Sequence, residues 1–224
     1  MPASFATLTL SGCSGCDVAL LNSDEWIGKR PLTYMPLVIS ADDLGDVETL
    51  LVTGGVGTDD DEYRLRRGRE CAAQLIAVGT CAISGGVANI GSRDEVRDVF
   101  RASTRRRRAM PRILPKCRPI DDLVSVDLYL PGCPPMSHLF IAALFGLDDF
   151  RPAKTVCLDC GRRKTRDRPQ TLRGFQAGEV DPEICLINQG YMCIGSSTRG
   201  GCLAPCPRAG HPCVGCRGPS DGFV

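Results

Sequence analysis

The sequence predicts an α/β fold: a doubly wound, mostly parallel sheet of flavodoxin-like type over residues 1–150, followed by a small loop-rich domain over residues 151–224. Three observations predict it. Short apolar runs of β type alternate with helix-compatible stretches through the first part. Near residue 151 Pro, Gly, Arg and Cys displace apolar periodicity. Eight of the 14 cysteines fall in that second part, between Cys157 and Cys216.

The predicted strands cover residues 5–10, 36–40, 49–53, 74–78 and 126–130. Between them lie predicted helices at 17–27, 59–73, 93–102 and 137–147, and in the last of these Phe140/Leu144 and Ala143/Leu147 make an apolar face at i, i+4 spacing. Strands that alternate with helices are joined by crossovers, which makes the sheet parallel. Arg105, Arg106, Arg107 and Arg108, with Pro111 and Pro115 after them, read as a solvated loop, because adjacent like charges repel and resist packing.

Composition excludes several classes. With 224 residues and 43% hydrophobic content the chain builds a core without disulfide staples. Its first residues have no basic region and no apolar run of the export type, so a cytoplasmic protein with reduced thiols is expected. The longest apolar run, 139–147, is far short of the roughly 20 residues a membrane span needs, so no direct membrane insertion is expected. A net charge of +1 argues against nucleic acid as a partner, yet residues 151–224 carry 11 Lys/Arg against six Asp/Glu. A thiolate-ligated iron–sulfur cluster is an anion, and such a cationic segment suits it.

Three predicted strands end in a Gly- or Pro-flanked cysteine: Ser11-Gly-Cys13-Ser-Gly-Cys16, Gly79-Thr-Cys81-Ala and Pro131-Gly-Cys133-Pro-Pro. Ligands of open α/β sheets sit outside the carboxyl ends of the strands, where Cys13, Cys16, Cys81 and Cys133 can meet as one four-thiolate site. Cys13 and Cys16 alone would also suit a dithiol redox motif, which has no use for two further thiols at that edge. The glycine-rich stretches 54–57 and 85–91 invite a phosphate-cradle reading but lack the Lys-Ser/Thr of a P-loop.

The tail spaces its cysteines as Cys157-x2-Cys160-x24-Cys185-x7-Cys193-x8-Cys202-x3-Cys206-x6-Cys213-x2-Cys216. The simplest partition gives Cys157, Cys160, Cys185 and Cys193 to one site and Cys202, Cys206, Cys213 and Cys216 to the next; interleaved sharing is the other. Two zinc sites satisfy the same spacing. Ligation supplies the folding energy that this weakly apolar segment lacks. His211 is surplus to eight cysteines, His138 starts a predicted helix, and Cys71 and Cys117 fall outside both patterns as buried or surface thiols.

Taken together these motifs resemble the small, electron-transferring subunit of [NiFe]-hydrogenases, with Gly79-Thr80-Cys81-Ala82 and Leu130-Pro131-Gly132-Cys133-Pro134-Pro135 following the CxxC in the family's order. The stretches from Cys193 to Cys202 and from Cys213 to Gly218 look most like the cytoplasmic viologen-reducing, deazaflavin-reducing and sulfhydrogenase branch. The resemblance implies three [4Fe–4S] clusters. Cys13, Cys16, Cys81 and Cys133 would hold the proximal one, Cys157, Cys160, Cys185 and Cys193 the distal one, and Cys202, Cys206, Cys213 and Cys216 the medial one.

It also implies a large-subunit partner that turns over hydrogen, and a further electron-accepting protein, for which Arg162, Arg163, Lys164, Arg166 and Arg168 offer a cationic face. Thr53-Gly54 departs from the Glu-Gly expected of many members. Related complex I subunits share the first domain but lack the eight-cysteine tail, so a complex I-like oxidoreductase subunit is the alternative, and a zinc-binding structural module a further one.

Overall fold

The computed structural model describes residues 3–39, 43–90, 94–103, 110–147, 154–175 and 178–221. The Arg105 to Arg108 run lies outside them. The chain divides into two compact units, Met1–Gly146 and Leu147–Val224.

In chain order the first unit runs β1 (Phe5–Thr9), α1 (Gly15–Leu21), β2 (Leu32–Tyr34), β3 (Val47–Thr53), β4 (Val56–Thr58), α2 (Asp59–Cys71), β5 (Ala72–Val78), α3 (Gly79–Ser84), α4 (Asp94–Ser103), β6 (Ile113–Arg118), β7 (Leu128–Leu130) and α5 (Ser137–Phe145). Five strands form a parallel sheet in the order β2-β1-β3-β5-β7. The chain therefore starts near one side, crosses back once and then winds outward, the flavodoxin-like order. Its register decides where the loops begin. Thr9 pairs with Thr53, Thr53 with Val78, and Val78 with Leu130, so four strands end level at one carboxyl edge.

Alternate residues face opposite sides, as the strand period requires. Ala6, Leu8, Leu50, Val52, Leu75 and Ala77 join Leu65 of α2 in one core. Gly68 lets that helix approach, since a Cβ there would stand 3.0 Å from Leu50 and 3.1 Å from Leu8. On α5, Leu139 and Phe140 are fully buried, and Ser137 Oγ donates to the carbonyl of Ala19 in α1 at 3.1 Å. Phe5 meets Trp26 edge to face at 5.3 Å. The buried guanidinium of Arg30 donates to the carbonyls of Ala3 and Leu144 and to Thr49 Oγ1, tying β1's approach, β3 and the end of α5 together.

Some elements differ from the sequence expectation. No strand occupies 36–39: the edge strand is β2, and the chain turns at Pro36, whose ring fixes φ and removes a donor, leaving Leu37 and Val38 exposed. Helix α1 stops at Leu21 because Asn22, Ser23 and Asp24 compete for backbone groups; Ser23 Oγ donates to Leu20 O at 2.7 Å. An antiparallel ribbon of β4 and β6, with Val56 opposite Arg118, runs through segments that read as loops, and it buries Cys117 completely.

Among its described residues the second unit has two short helices, α6 (Val156–Cys160) and α7 (Pro205–Arg208), and isolated bridges at Thr155/Arg199, Arg163/Ile184, Arg173/Tyr191 and Thr198/Pro219. Its apolar cluster is Val156, Ala204 and Cys213 with Cys160, Cys193 and Cys202 packed around them. Four of the six residues in that cluster are cysteines, and Leu186 and Tyr191 are buried elsewhere in the unit. Among the described residues no helix is long and apolar enough to cross a membrane.

Candidate metal centres

The level strand ends deliver three cysteine-bearing loops to one place. The first loop leaves β1 at Leu10, whose N–H donates to Thr53 O, and Ser11 and Gly55 exchange backbone hydrogen bonds of 3.1 and 2.8 Å. Ser14 takes a left-handed φ of 59° and turns the chain into α1, which carries Cys16 and Asp17. Cys81 lies on α3, which starts directly from β5. There Thr80 donates from both N–H, at 3.0 Å, and Oγ1, at 3.1 Å, to the carbonyl of Gly132, locking the Cys81 turn to the Cys133 turn.

The four sulfurs act on one another. Burial pushes the Cys16 thiol up to about 12, helped by the charge of Asp17 and then by Cys81, Cys133 and Cys13. Burial also raises Cys81, with Cys13 adding to it, and raises Cys133, with Cys81 and Cys13 adding. Bare thiolates so arranged resist ionising together, and a cationic group among them would reverse that preference. Glycine makes the room: a Cβ at Gly79 would come 2.5 Å from Cys16 Sγ, and one at Gly86 2.6 Å from Cys81 Sγ. Cys13 and Cys133 are exposed, so the group opens outward.

Asp17 was not foreseen as part of this site. It is fully buried, and its carboxylate accepts from Thr9 Oγ1 at 3.2 Å and Thr53 Oγ1 at 3.1 Å. Burial raises its pKa while those hydroxyls lower it. Thr53, standing where a glutamate was expected, is therefore a donor to a carboxylate supplied by α1. The signal was the acid directly after Cys16 facing two strand-end threonines.

Gly54 and Gly55 leave no room for a phosphate, and Gly91 lies outside the described residues. A Cβ at Gly54 would lie 2.8 Å from the Leu10 carbonyl group, and one at Gly55 would lie 2.6 Å from Cys117 Sγ and 3.0 Å from the Cys81 carbonyl oxygen. Protein fills that space. Cys71 ends α2, half-buried, and Cys117 is buried in the ribbon of β4 and β6.

In the second unit the neighbours acting on Cys157 are Cys193, Cys185 and Cys160, which brings together the set predicted from sequence; burial raises its pKa and Lys164 opposes the rise. Cys202 and Cys213 are both raised by burial and both feel Cys216. Cys213 also feels Cys193, and its N–H donates to Cys193 Sγ at 3.2 Å, so the two predicted quartets meet there. Cys206 is exposed on α7. Exposed His211 donates its backbone N–H to the Cys206 carbonyl, and His138 is exposed on α5.

Of the predicted cationic face, Arg162 turns inward, donating to the carbonyls of Pro207, Asp181 and Ile184. Arg163, Lys164, Arg166 and Arg168 remain exposed.

None of the 14 cysteines is in a disulfide. Among the described residues no three His, Cys, Asp or Glu side chains close on a single-ion site. Tetrahedral zinc would need its thiolates within about 4 Å of one another. Four thiols that act on one another from three separate loops suit a four-iron core.

The family model described as NADH ubiquinone oxidoreductase, 20 Kd subunit, matches residues 13–147. The chain is 35% identical over 233 residues to the vhu-type F420-non-reducing hydrogenase polypeptide of Methanocaldococcus jannaschii that bears the letter G, covering 96% of this chain and 81% of that one. It is 30% identical to the delta polypeptide of sulfhydrogenase 2 of Pyrococcus furiosus, covering 94% and 84%. Among solved structures, the actinobacterial-type NiFe-hydrogenase of Ralstonia eutropha H16 shares the fold with a TM-score of 0.65 at 16% identity, covering 99% of this chain and 81% of that one.

Proposed function

The chain belongs to the small subunits of [NiFe]-hydrogenases, with residues 13–147 in the NADH ubiquinone oxidoreductase 20 Kd subunit family, and on that premise we propose that it relays electrons between the nickel–iron site of a large subunit and an acceptor protein through three [4Fe–4S] clusters. As a hydrogenase subunit it is part of an oxidoreductase. Hydrogen turnover itself belongs to the partner. The observation that carries this reading is the convergence of Cys13, Cys16, Cys81 and Cys133 from three loops at one level sheet edge.

Those four cysteines hold the proximal centre. Cys157, Cys160, Cys185 and Cys193 hold the distal one, and Cys202, Cys206, Cys213 and Cys216 the medial one. Each centre supplies reversible one-electron chemistry when bound. The chain's residues do the rest: thiolates fix the centres, Thr80 and the glycines hold the proximal loops rigid, and Asp17 sets the local charge beside Cys16. The proximal face, with its exposed Cys13, Cys133 and Val18, meets the large subunit. The cytoplasm is the proposed compartment.

A complex I-like subunit is the second reading, favoured by the family model. Similarity that extends over 96% of the chain, tail included, supports the hydrogenase reading over it. Zinc is disfavoured by the similarity to hydrogenase polypeptides, which extends over 96% of the chain and so through the cysteine tail.

The test is iron, acid-labile sulfide and nickel analysis of the anaerobically purified complex, with electron paramagnetic resonance after reduction. About twelve irons per chain are expected. Zinc without sulfide rejects the clusters, and a natural partner lacking nickel rejects the hydrogenase assignment.

A further inference from the structure

Arg217 follows Cys216 and is 2% exposed, making it the most enclosed Lys or Arg among the described residues. Its position is fixed from both sides. Gly218 N–H donates to Gly215 O at 2.9 Å, Arg199 N–H to Gly218 O at 3.1 Å, and Ser220 N–H to Ser197 O at 2.8 Å.

Among the described residues, the charged and titratable groups acting on it include Cys202, Cys216, Asp159 and Arg199. Arg199 is engaged with Asp221 at 3.2 Å. Asp159, on α6 between Cys157 and Cys160, accepts from Gly201 N–H at 2.6 Å, which presses its carboxylate against the segment leading into Cys202. Arg217 thus stands among two thiols of one predicted quartet and a carboxylate carried by the helix of the other.

Enclosing a guanidinium costs several kcal/mol unless anions offset it. A four-iron core with four thiolates carries negative charge in either common oxidation state, and one-electron reduction adds one more unit without moving a proton or breaking a bond. A fixed cation beside such a core favours the reduced state.

We propose that Arg217 is the built-in counter-charge of the centre held by Cys202, Cys206, Cys213 and Cys216, and that it raises that centre's reduction potential. Arg217 acts through the centre's surroundings and is a positioning residue, touching no substrate. The inference rests on the iron–sulfur reading of the tail.

The test uses the anaerobically purified complex with Arg217→Gln and Arg217→Lys variants. Iron and sulfide are measured first, then each midpoint potential by redox titration followed by electron paramagnetic resonance. In Arg217→Gln one centre is expected to shift at least tenfold toward its oxidised form, about 59 mV for one electron, with the other two unmoved. Arg217→Lys is expected to recover most of the shift.

If Arg217→Gln loses about four irons and Arg217→Lys retains them, charge is again what the centre requires. Retained iron with unchanged potentials overturns the inference, as does equal iron loss in both variants, which would mark a role for side-chain shape. Wild-type complex without iron or sulfide would instead defeat the underlying cluster reading.

Discussion

Ser11 Oγ donates a 2.7 Å hydrogen bond to Asp61 Oδ2, joining the loop that carries Cys13 to the first turn of α2. The same oxygen accepts from the N–H groups of Gly57 and Thr58, both at 3.0 Å, while Thr58 Oγ1 caps Asp61 N–H. One buried carboxylate therefore starts a helix, closes a capping box and anchors a cysteine loop. Asp61→Ala should cost about 2–3 kcal/mol and Ser11→Ala about 1–2 kcal/mol, because the first leaves several buried donors unmet and the second removes a single bond. Urea denaturation of the two variants gives the comparison, and equal losses would contradict it.

Cys133→Ala should lower iron content by about four per chain and abolish hydrogen-dependent electron transfer, since it removes one of four thiolates from the sheet-edge group. Cys71→Ala should leave iron content unchanged, because Cys71 ends α2 away from that group. Iron loss from the Cys71 variant would overturn the division of the cysteines.

Gly79→Ala and Gly86→Ala place a methyl within 2.5 and 2.6 Å of a cysteine sulfur at φ values of +82° and +58°. Gly28→Ala imposes a comparable φ of +74° in open space. The Gly28 variant should lose only about 1–2 kcal/mol of backbone strain, whereas the other two should also lose the proximal centre's iron. Iron assay beside thermal melting separates the two effects.

Asp127 accepts from Leu75 N–H at 2.7 Å and from Arg69 at 2.6 Å, which hold its carboxyl below the usual range. A depressed folded pKa contributes stability above the unfolded value of about 3.9, and that contribution fades as pH falls through the folded pKa. Asp127→Asn should therefore cost about 1 kcal/mol at pH 7, the partial exposure of the pair keeping it small, and nothing at the acid end. Denaturation curves at several pH values test the convergence, and a gap that widens on acidification would contradict it.

Removing iron should release the second unit and spare the sheet. Amide hydrogen exchange of the chelated protein should show lost protection around α6, α7 and the isolated bridges, with β1, β3 and β5 still protected. Persistent protection of the second unit would show that it folds without ligation.

The central strands were legible because Phe5, Leu50, Leu51, Leu75 and Ile76 sit in short apolar runs that a parallel sheet buries on both faces. The sheet-edge cysteines were legible too, each following such a run directly. The ribbon was not: Pro115 and the glycines around Val56 read as loop, but a two-stranded ribbon leaves one side of each strand unpaired and so tolerates proline. Arg217 was hidden for another reason. One arginine among 11 cations in the second part carries no local mark of burial, which only the fold around Gly215 and Gly218 imposes.

The sheet edge also orders events in time. Its thiol group draws on the first strand of the sheet and the last, so a growing chain that has released Cys13 and Cys16 still lacks Cys133 until β7 has been made. Bringing such long-range partners together costs loop-closure entropy before their contacts offset it. Any cellular apparatus that loads this quartet is thereby inspecting a finished sheet, and a chain stalled or misfolded short of β7 offers it only part of a site.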